Sequence, residues 1–170
     1  MNGPIIRGRQ ITLRPLRKSD APDYCRWLDN PEATRFLQRH EDPPTLREEH
    51  AYIANQRRRN DTVHWAIDTR DGVHIGSTSL MKLDREQRHA EFGIFIGDPR
   101  YWGQGLGTQA GRLVLRYGFG KLKLHRIYLH VYAYNLRGIR SYRRLGYKLE
   151  GRLRDQLYRD GAYHDIIVMG

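Results

Sequence analysis

The stretch Ala90–Gly97, AEFGIFIG, runs directly into Asp98–Ala110, DPRYWGQGLGTQA, and the rest of the chain can be read outward from that junction. Ala90, Phe92, Ile94 and Ile96 alternate with Glu91, Gly93, Phe95 and Gly97, the period-two pattern of a strand covered on both faces. Asp98 and Pro99 stop it. Beyond the turn, Ala110, Leu113, Val114, Tyr117 and Leu122 recur at helical steps and set one apolar stripe on a helix. Gly103, Gly105 and Gly107 lie between the two elements.

Glycines at alternate positions before a helix let main-chain N–H groups converge free of side chains, and the helix start adds its dipole and unpaired donors. Such a concavity suits a phosphate or pyrophosphate; the same spacing also fits a merely tight turn. The dinucleotide fingerprint GxGxxG does not fit GQGLG at Gly103–Gly107. A P-loop would need a lysine after its last glycine, where this chain has Thr108.

Upstream, Gln10–Leu16 reads as a first strand. Ser19 then offers an N-cap for a helix with Ala21, Tyr24, Cys25 and Leu28 inward. Asn30 and Pro31 start a short helix with Ala33, Phe36 and Leu37 inward, and Asp42, Pro43 and Pro44 break it. Thr45 with Glu48 is a capping box for a third helix, with Leu46, His50, Ile53 and Arg57 on one face. Val63–Asp68 and Val73–Leu83 form an antiparallel pair around Arg70, Asp71 and Gly72, and the polar loop Asp84–Arg88 leads to the central strand.

Downstream, Arg126–Tyr134 places Ile127, Leu129, Val131 and Ala133 on one face and Tyr128, His130, Tyr132 and Tyr134 on the other. Asn135 caps a further helix that Gly146 ends. Two last strands, about Lys148–Leu157 and Ala162–Met169, meet at a turn on Asp160 and Gly161. This order predicts an α/β (α+β) fold: a mixed, mostly antiparallel central sheet of about seven strands flanked by helices.

A chain of 170 residues suits one domain over residues 1–170, and 39% hydrophobic residues argue against disorder. No apolar run approaches the roughly 20 residues of a membrane span, and MNGPIIRGRQ lacks a signal-peptide apolar core, so no membrane partner and a cytoplasmic location are expected. Cys25 is the single cysteine and reads as a buried thiol. The eight histidines show neither HExxH nor a cysteine-rich spacing, so no metal is expected. A formal net charge of +11 invites an acidic partner, ribosomal RNA among them, and fits plain solubility as well. Arginine knots at 57–59 and at Arg140, Arg143 and Arg144 suit solvated helix faces, and the second knot also suits a phosphate.

Phe95–Ala110, FIGDPRYWGQGLGTQA, resembles the acetyl-CoA pyrophosphate loop of the GCN5-related N-acetyltransferases (GNAT), (R/Q)xxGx(G/A), which follows a strand ending in a small bulge. Tyr132–Asp155, YAYNLRGIRSYRRLGYKLEGRLRD, resembles the second motif of that superfamily, especially in its RimJ/RimL branch of protein N-terminal acetyltransferases. The likeness runs from Ile11 to Met169, with one departure: Trp102 stands where the pattern has Arg or Gln. The resemblance implies acetyl-CoA as cosubstrate and direct transfer to a primary amine in a ternary complex. It assigns the cosubstrate to Phe95, Ile96, Gly97, Gly103, Gln104, Gly105, Leu106, Gly107, Thr108, Asn135 and Tyr142. A protein or peptide N-terminal amine is the favoured acceptor, with amino sugars, antibiotics and polyamines open and a homodimer compatible. A noncatalytic CoA- or RNA-binding domain is the alternative from another class, against which Gly105, Gly107, Asn135 and Tyr142 speak.

An amine attacking a thioester must lose a proton, and the departing thiolate is best met by an acid. Tyr142, seven residues after Asn135 on the same helix face, occupies the place of the superfamily's acid, although Ile139 and Leu145 also fit it to a core. Glu91 is the candidate base, sharing a side with Phe95 if the strand is regular, with His130 as its rival. A bulge would change that facing.

Overall fold

Helices and strands alternate around the predicted junction in the computed structural model, which describes residues 3–37 and 42–170. In chain order the elements are β1 (Ile6–Arg7), β2 (Ile11–Arg14), α1 (Ala21–Leu28), α2 (Pro31–Thr34), α3 (Leu46–Arg58), β3 (Val63–Thr69) and β4 (His74–Asp84). They continue with β5 (His89–Ile96), α4 (Leu106–Gly120), β6 (Arg126–Tyr132), α5 (Leu136–Arg144), β7 (Leu149–Arg159) and β8 (Ala162–Met169). Among the described residues the strands form one sheet in the order β1-β2-β3-β4-β5-β6-β8-β7. Every neighbouring pair is antiparallel except β5 with β6, which α4 joins as a crossover. The eighth strand beyond the expected seven is β1, whose two residues are too few to show alternation.

Alternation along the strands builds a layer on each face. Trp65, Ile67, Leu80, Ala90 and Phe92 face α4, while Ala66 and Phe95 face the cluster of Tyr24, Trp27 and Ile53 contributed by α1 and α3. Leu106, Ala110, Leu113 and Val114 carry the inward stripe of α4; Leu122 lies beyond its end at Gly120. A buried ion network ties the α1 layer to the sheet. The Arg14 guanidinium donates to both oxygens of Asp20 at 2.8 Å and, through Nε, to Asp68 at 2.6 Å.

Local signals act where expected at several ends. Thr45 accepts from the Glu48 N–H while the Glu48 side chain accepts from the Thr45 N–H, and Asn30 accepts from the Glu32 N–H. Asp160 and Gly161 both take positive φ, 51° and 77°, as a two-residue hairpin turn requires. Other expectations are corrected by packing. Ser19 lies inside a 3₁₀ turn at Lys18–Asp20, and it is Asp20 that accepts from the Arg17 N–H. In α1 the buried residues are Ala21, Tyr24 and Trp27, and Cys25 is only half-buried, because Trp27 inserts beneath the sheet. In α3 Leu46 is exposed and Glu49 is buried with Ile53, a rotation of the inward face that the apolar pattern does not show. Among the described residues no helix is long and apolar enough to cross a membrane.

Candidate active site

The parallel pair β5–β6 is short: only His89–Glu91 meet Arg126–Tyr128. From Leu129 onward β6 pairs with β8, so β5 and β6 part beyond Glu91, and a cavity of about 870 Å³ opens between them. Phe92–Ile96 form one wall, His130–Tyr132 the other, and the starts of α4 and α5 close one end. The β4–β5 register is unbroken from Gly76↔Ile96 to Met81↔Glu91. The expected bulge at the end of β5 is therefore absent from this pairing; the shift falls between Met81 and Asp84, where Lys82 has φ 50°. Glu91 and Phe95 thus share a face, as a regular strand requires.

The glycine turn shapes the other end. Gly103 and Gly105 hold φ of 75° and 78°, and a Cβ on either would meet nothing of the protein within 4 Å, so the turn is open on its outer side. Gly105 is the N-cap of α4, and the Gln109 N–H is the first to close onto its carbonyl, at 2.9 Å. The N–H groups of the first turn are left to point outward. Trp102 turns inward, donating from its indole N–H to the Ile96 carbonyl at 2.8 Å, and its ring lies 4.4 Å from the Arg137 guanidinium carbon. A 2.8 Å hydroxyl bond joins Thr108 in the first turn of α4 to Ser141 in the second half of α5, and the Asn135 side chain accepts from the Gly138 N–H at 2.9 Å to cap α5. Arg137, Arg140 and Arg144 line this end, and with the α4 dipole they make it a place for phosphate groups. Arg143 does not line it.

Where the strands part, the two rival bases form one unit. Glu91 Oε1 lies 2.8 Å from His130 Nδ1, and its other oxygen lies 2.7 Å from Lys82 Nζ. Burial works to raise the Glu91 pKa, but the bonds to Lys82 and His130 outweigh it and hold the carboxyl below its ordinary range. An ionised carboxylate only accepts, so the His130 Nδ1 facing it carries the hydrogen, and Nε2 is the ring nitrogen turned away from Glu91. Across the cavity the Tyr142 ring packs edge-on to Phe92 and Tyr147, with centroids 6.2 and 6.0 Å away, and burial pushes its hydroxyl pKa up to about 12.

Of the residues singled out from sequence, Glu91, Phe95, Ile96, Gly103, Gly105, Leu106, Gly107, Thr108, Asn135 and Tyr142 all line the cavity. Gly97 and Gln104 do not. Gly97 backs onto Trp27, where a Cβ would come within 2.1 Å of the ring, and the Gln104 side chain turns to the Arg100 carbonyl at 2.8 Å. Lys82, Arg137 and Ser141 are additions that only tertiary register reveals. Among the described residues no cluster of three or more metal-ligating side chains occurs.

Residues 10–148 match the family described as acetyltransferase (GNAT) domain. Spermidine N(1)-acetyltransferase of Escherichia coli is 33% identical over 166 residues, 94% of this chain and 84% of its own length. A putative ribosomal N-acetyltransferase of Bacillus subtilis, YdaF, is 35% identical over 97 residues, 57% of this chain and 52% of its own. The structure of spermidine N-acetyltransferase from Vibrio cholerae in complex with CoA and spermine superposes with a TM-score of 0.86 at 27% identity, covering 94% of each chain. With strand order, glycine turn and sequence in agreement, the chain belongs to the GNAT acetyltransferases and is an N-acetyltransferase.

Proposed function

We propose that this enzyme uses acetyl-CoA to acetylate a small-molecule primary amine by direct transfer, with His130 and Glu91 as the proton-accepting pair and Tyr142 as the acid. The observation that carries the reading is the Glu91–His130 pair standing at the point where β5 and β6 part, in the same cavity as Tyr142. The glycine turn fits the pyrophosphate of acetyl-CoA: Gly103 and Gly105 leave the main chain uncovered, the α4 amides face outward, and Arg137, Arg140 and Arg144 supply positive charge. Acetyl-CoA, when bound, supplies the activated thioester carbonyl. His130 Nε2 accepts the proton of the incoming ammonium, directly or through one water, and Glu91 holds the ring and stabilises the imidazolium. Tyr142, kept protonated by burial, donates to the sulfur that leaves.

The small-amine acceptor is supported by relatives named spermidine acetyltransferases. The protein N-terminal amine expected from the RimJ/RimL likeness has weaker support, a ribosomal relative matched over 57% of the chain. It remains the second reading because the net charge of +11 repels a polycation at long range. Thiol release from acetyl-CoA with spermidine, an amino sugar and a short peptide, at low and moderate salt, separates the two. The small-amine reading expects the peptide to be the poorest acceptor at both salts; a peptide with the highest kcat/KM at both would overturn it.

A further inference from the structure

On the face of the sheet that carries Glu91, a straight row crosses three strands: His64 of β3 opposite Ser79 of β4, and Ser79 opposite Gly93 of β5. His64 lines the cavity although it is only 8% exposed, and among the described residues its Nδ1 has no hydrogen-bond partner. A buried polar atom without a partner is uncommon, since folding removes its water and returns nothing. Gly93 has no side chain, and the Met81 methyl and the Ser79 hydroxyl lie over it, 2.9 and 3.2 Å from where a Cβ would stand, so with His64 they line this arm of the cavity. The Tyr52 ring stands edge-on to His64, with centroids 6.4 Å apart.

We propose that His64, assisted by Ser79, is a second recognition point of the acceptor arm, hydrogen-bonding a neutral hydroxyl or amide group of the amine substrate. The proposal deepens, and rests on, the small-molecule reading above. His64 and Gly93 are two strand spacings apart, about 9.5 Å, and the amine site at Glu91 and His130 lies next to Gly93. The amine and the recognised group are therefore separated by roughly six atoms of chain, at about 1.3 Å per bond along that span. Charge selects the neutral group. Burial pushes the His64 pKa down to about 4, so the ring is uncharged near neutrality, and the same surroundings disfavour an unpaired ammonium. Besides the Glu91–Lys82 pair, the charged side chain lining this arm among the described residues is Arg59, whose guanidinium is paired with Asp61 at 2.6 and 2.8 Å, so the arm offers an ammonium no carboxylate of its own.

The test uses three amines matched in length, 6-aminohexan-1-ol, 1,6-diaminohexane and hexylamine, with the full chain and saturating acetyl-CoA. One additional hydrogen bond should give the amino alcohol a kcat/KM about five- to tenfold above the other two. His64→Phe, which keeps the ring bulk, should bring it down to the hexylamine level through KM, with kcat and CoA affinity unchanged; His64→Gln should restore part of the preference. A preference for the diamine, or an alcohol preference that survives His64→Phe, overturns the proposal. The ring ¹⁵N resonances of His64 in the CoA complex give a readout independent of turnover. A shift on adding 6-aminohexan-1-ol supports the subsite, and a shift with none of the three amines acetylated in the acetyl-CoA assay counts against the small-amine reading alone; no shift overturns the subsite.

Discussion

Gly105 caps α4 and Gly107 lies two residues on, in its first turn, yet adding a methyl to each should move stability in opposite directions. Gly105 sits at φ 78° with no protein atom within 4 Å of a built Cβ, so Gly105→Ala meets no clash and pays only for the left-handed backbone, about 1–2 kcal/mol. Gly107 lies in the first turn of α4 without a left-handed φ, and its Cβ would rest 3.7 Å from Ile94 Cδ1 and from Ile96 Cγ1, ordinary contact. Gly107→Ala should therefore stabilise by about 0.5–1 kcal/mol, mostly by reducing the freedom of the unfolded chain. At roughly 2–4 °C per kcal/mol for a chain of this size, the two variants should bracket the parent and differ by about 3–12 °C in Tm. Calorimetric titration with CoA supplies the second axis: both methyls sit on the cavity wall where main chain is to approach phosphate, so both should weaken CoA. Stability and affinity then part company in Gly107→Ala. A Gly107→Ala protein that is less stable than the parent, or binds CoA equally well, would refute the reasoning.

Tyr142→Phe should lower kcat by about a hundredfold with little change in KM for acetyl-CoA; equal steady-state rates would leave Tyr142 as a core aromatic. Lys82→Met removes a bond that offsets burial at Glu91, so the Glu91 pKa should rise and the acid limb of kcat/KM should move to higher pH; an unmoved limb would separate Glu91 from the proton path. Asp20→Asn takes from the buried Arg14 guanidinium one of its two carboxylate partners, leaving Asp68, and should cost about 1.5–3 kcal/mol in denaturant unfolding. Although burial opposes it, Arg14 and the Arg17 N–H hold the Asp20 pKa below 3.8. Its stabilisation is thus present above pH 3.8 and lost as pH falls through the lower folded value, so parent and variant should converge there.

What could be read from the sequence was what neighbouring residues decide among themselves. The Thr45–Glu48 box, the Asn135 cap and the Asp160–Gly161 turn act within a few residues, and each occurs where its spacing placed it. The alternation of Ala90–Ile96 gave the central strand, but not that its full burial stops at Ala90 and Phe92 and that Phe92–Ile96 line a cavity. Which way a helix faces is a different matter. Trp27 is inward because Gly97 offers a surface without a side chain, and Glu49 is inward in place of Leu46; neither follows from apolar spacing. The active-site pairings lie furthest from local reach. Glu91 and His130 are separated by 39 residues and look like alternatives in sequence, and only the parallel register of β5 and β6 makes them partners. His64 reads as an ordinary strand residue until the β3–β4–β5 row sets it on the cavity floor.

Direct transfer to a small amine is tested most closely in a single turnover, with enzyme in excess over acetyl-labelled acetyl-CoA, rapid quenching, and the label followed by mass in cosubstrate, protein and amine. The predicted result is label passing from cosubstrate to amine with one thiol released per acetyl, no acetylated protein at any time, and negligible thiol release when amine is omitted. Label accumulating on the protein, or thiol released at the same rate without an amine, would contradict it.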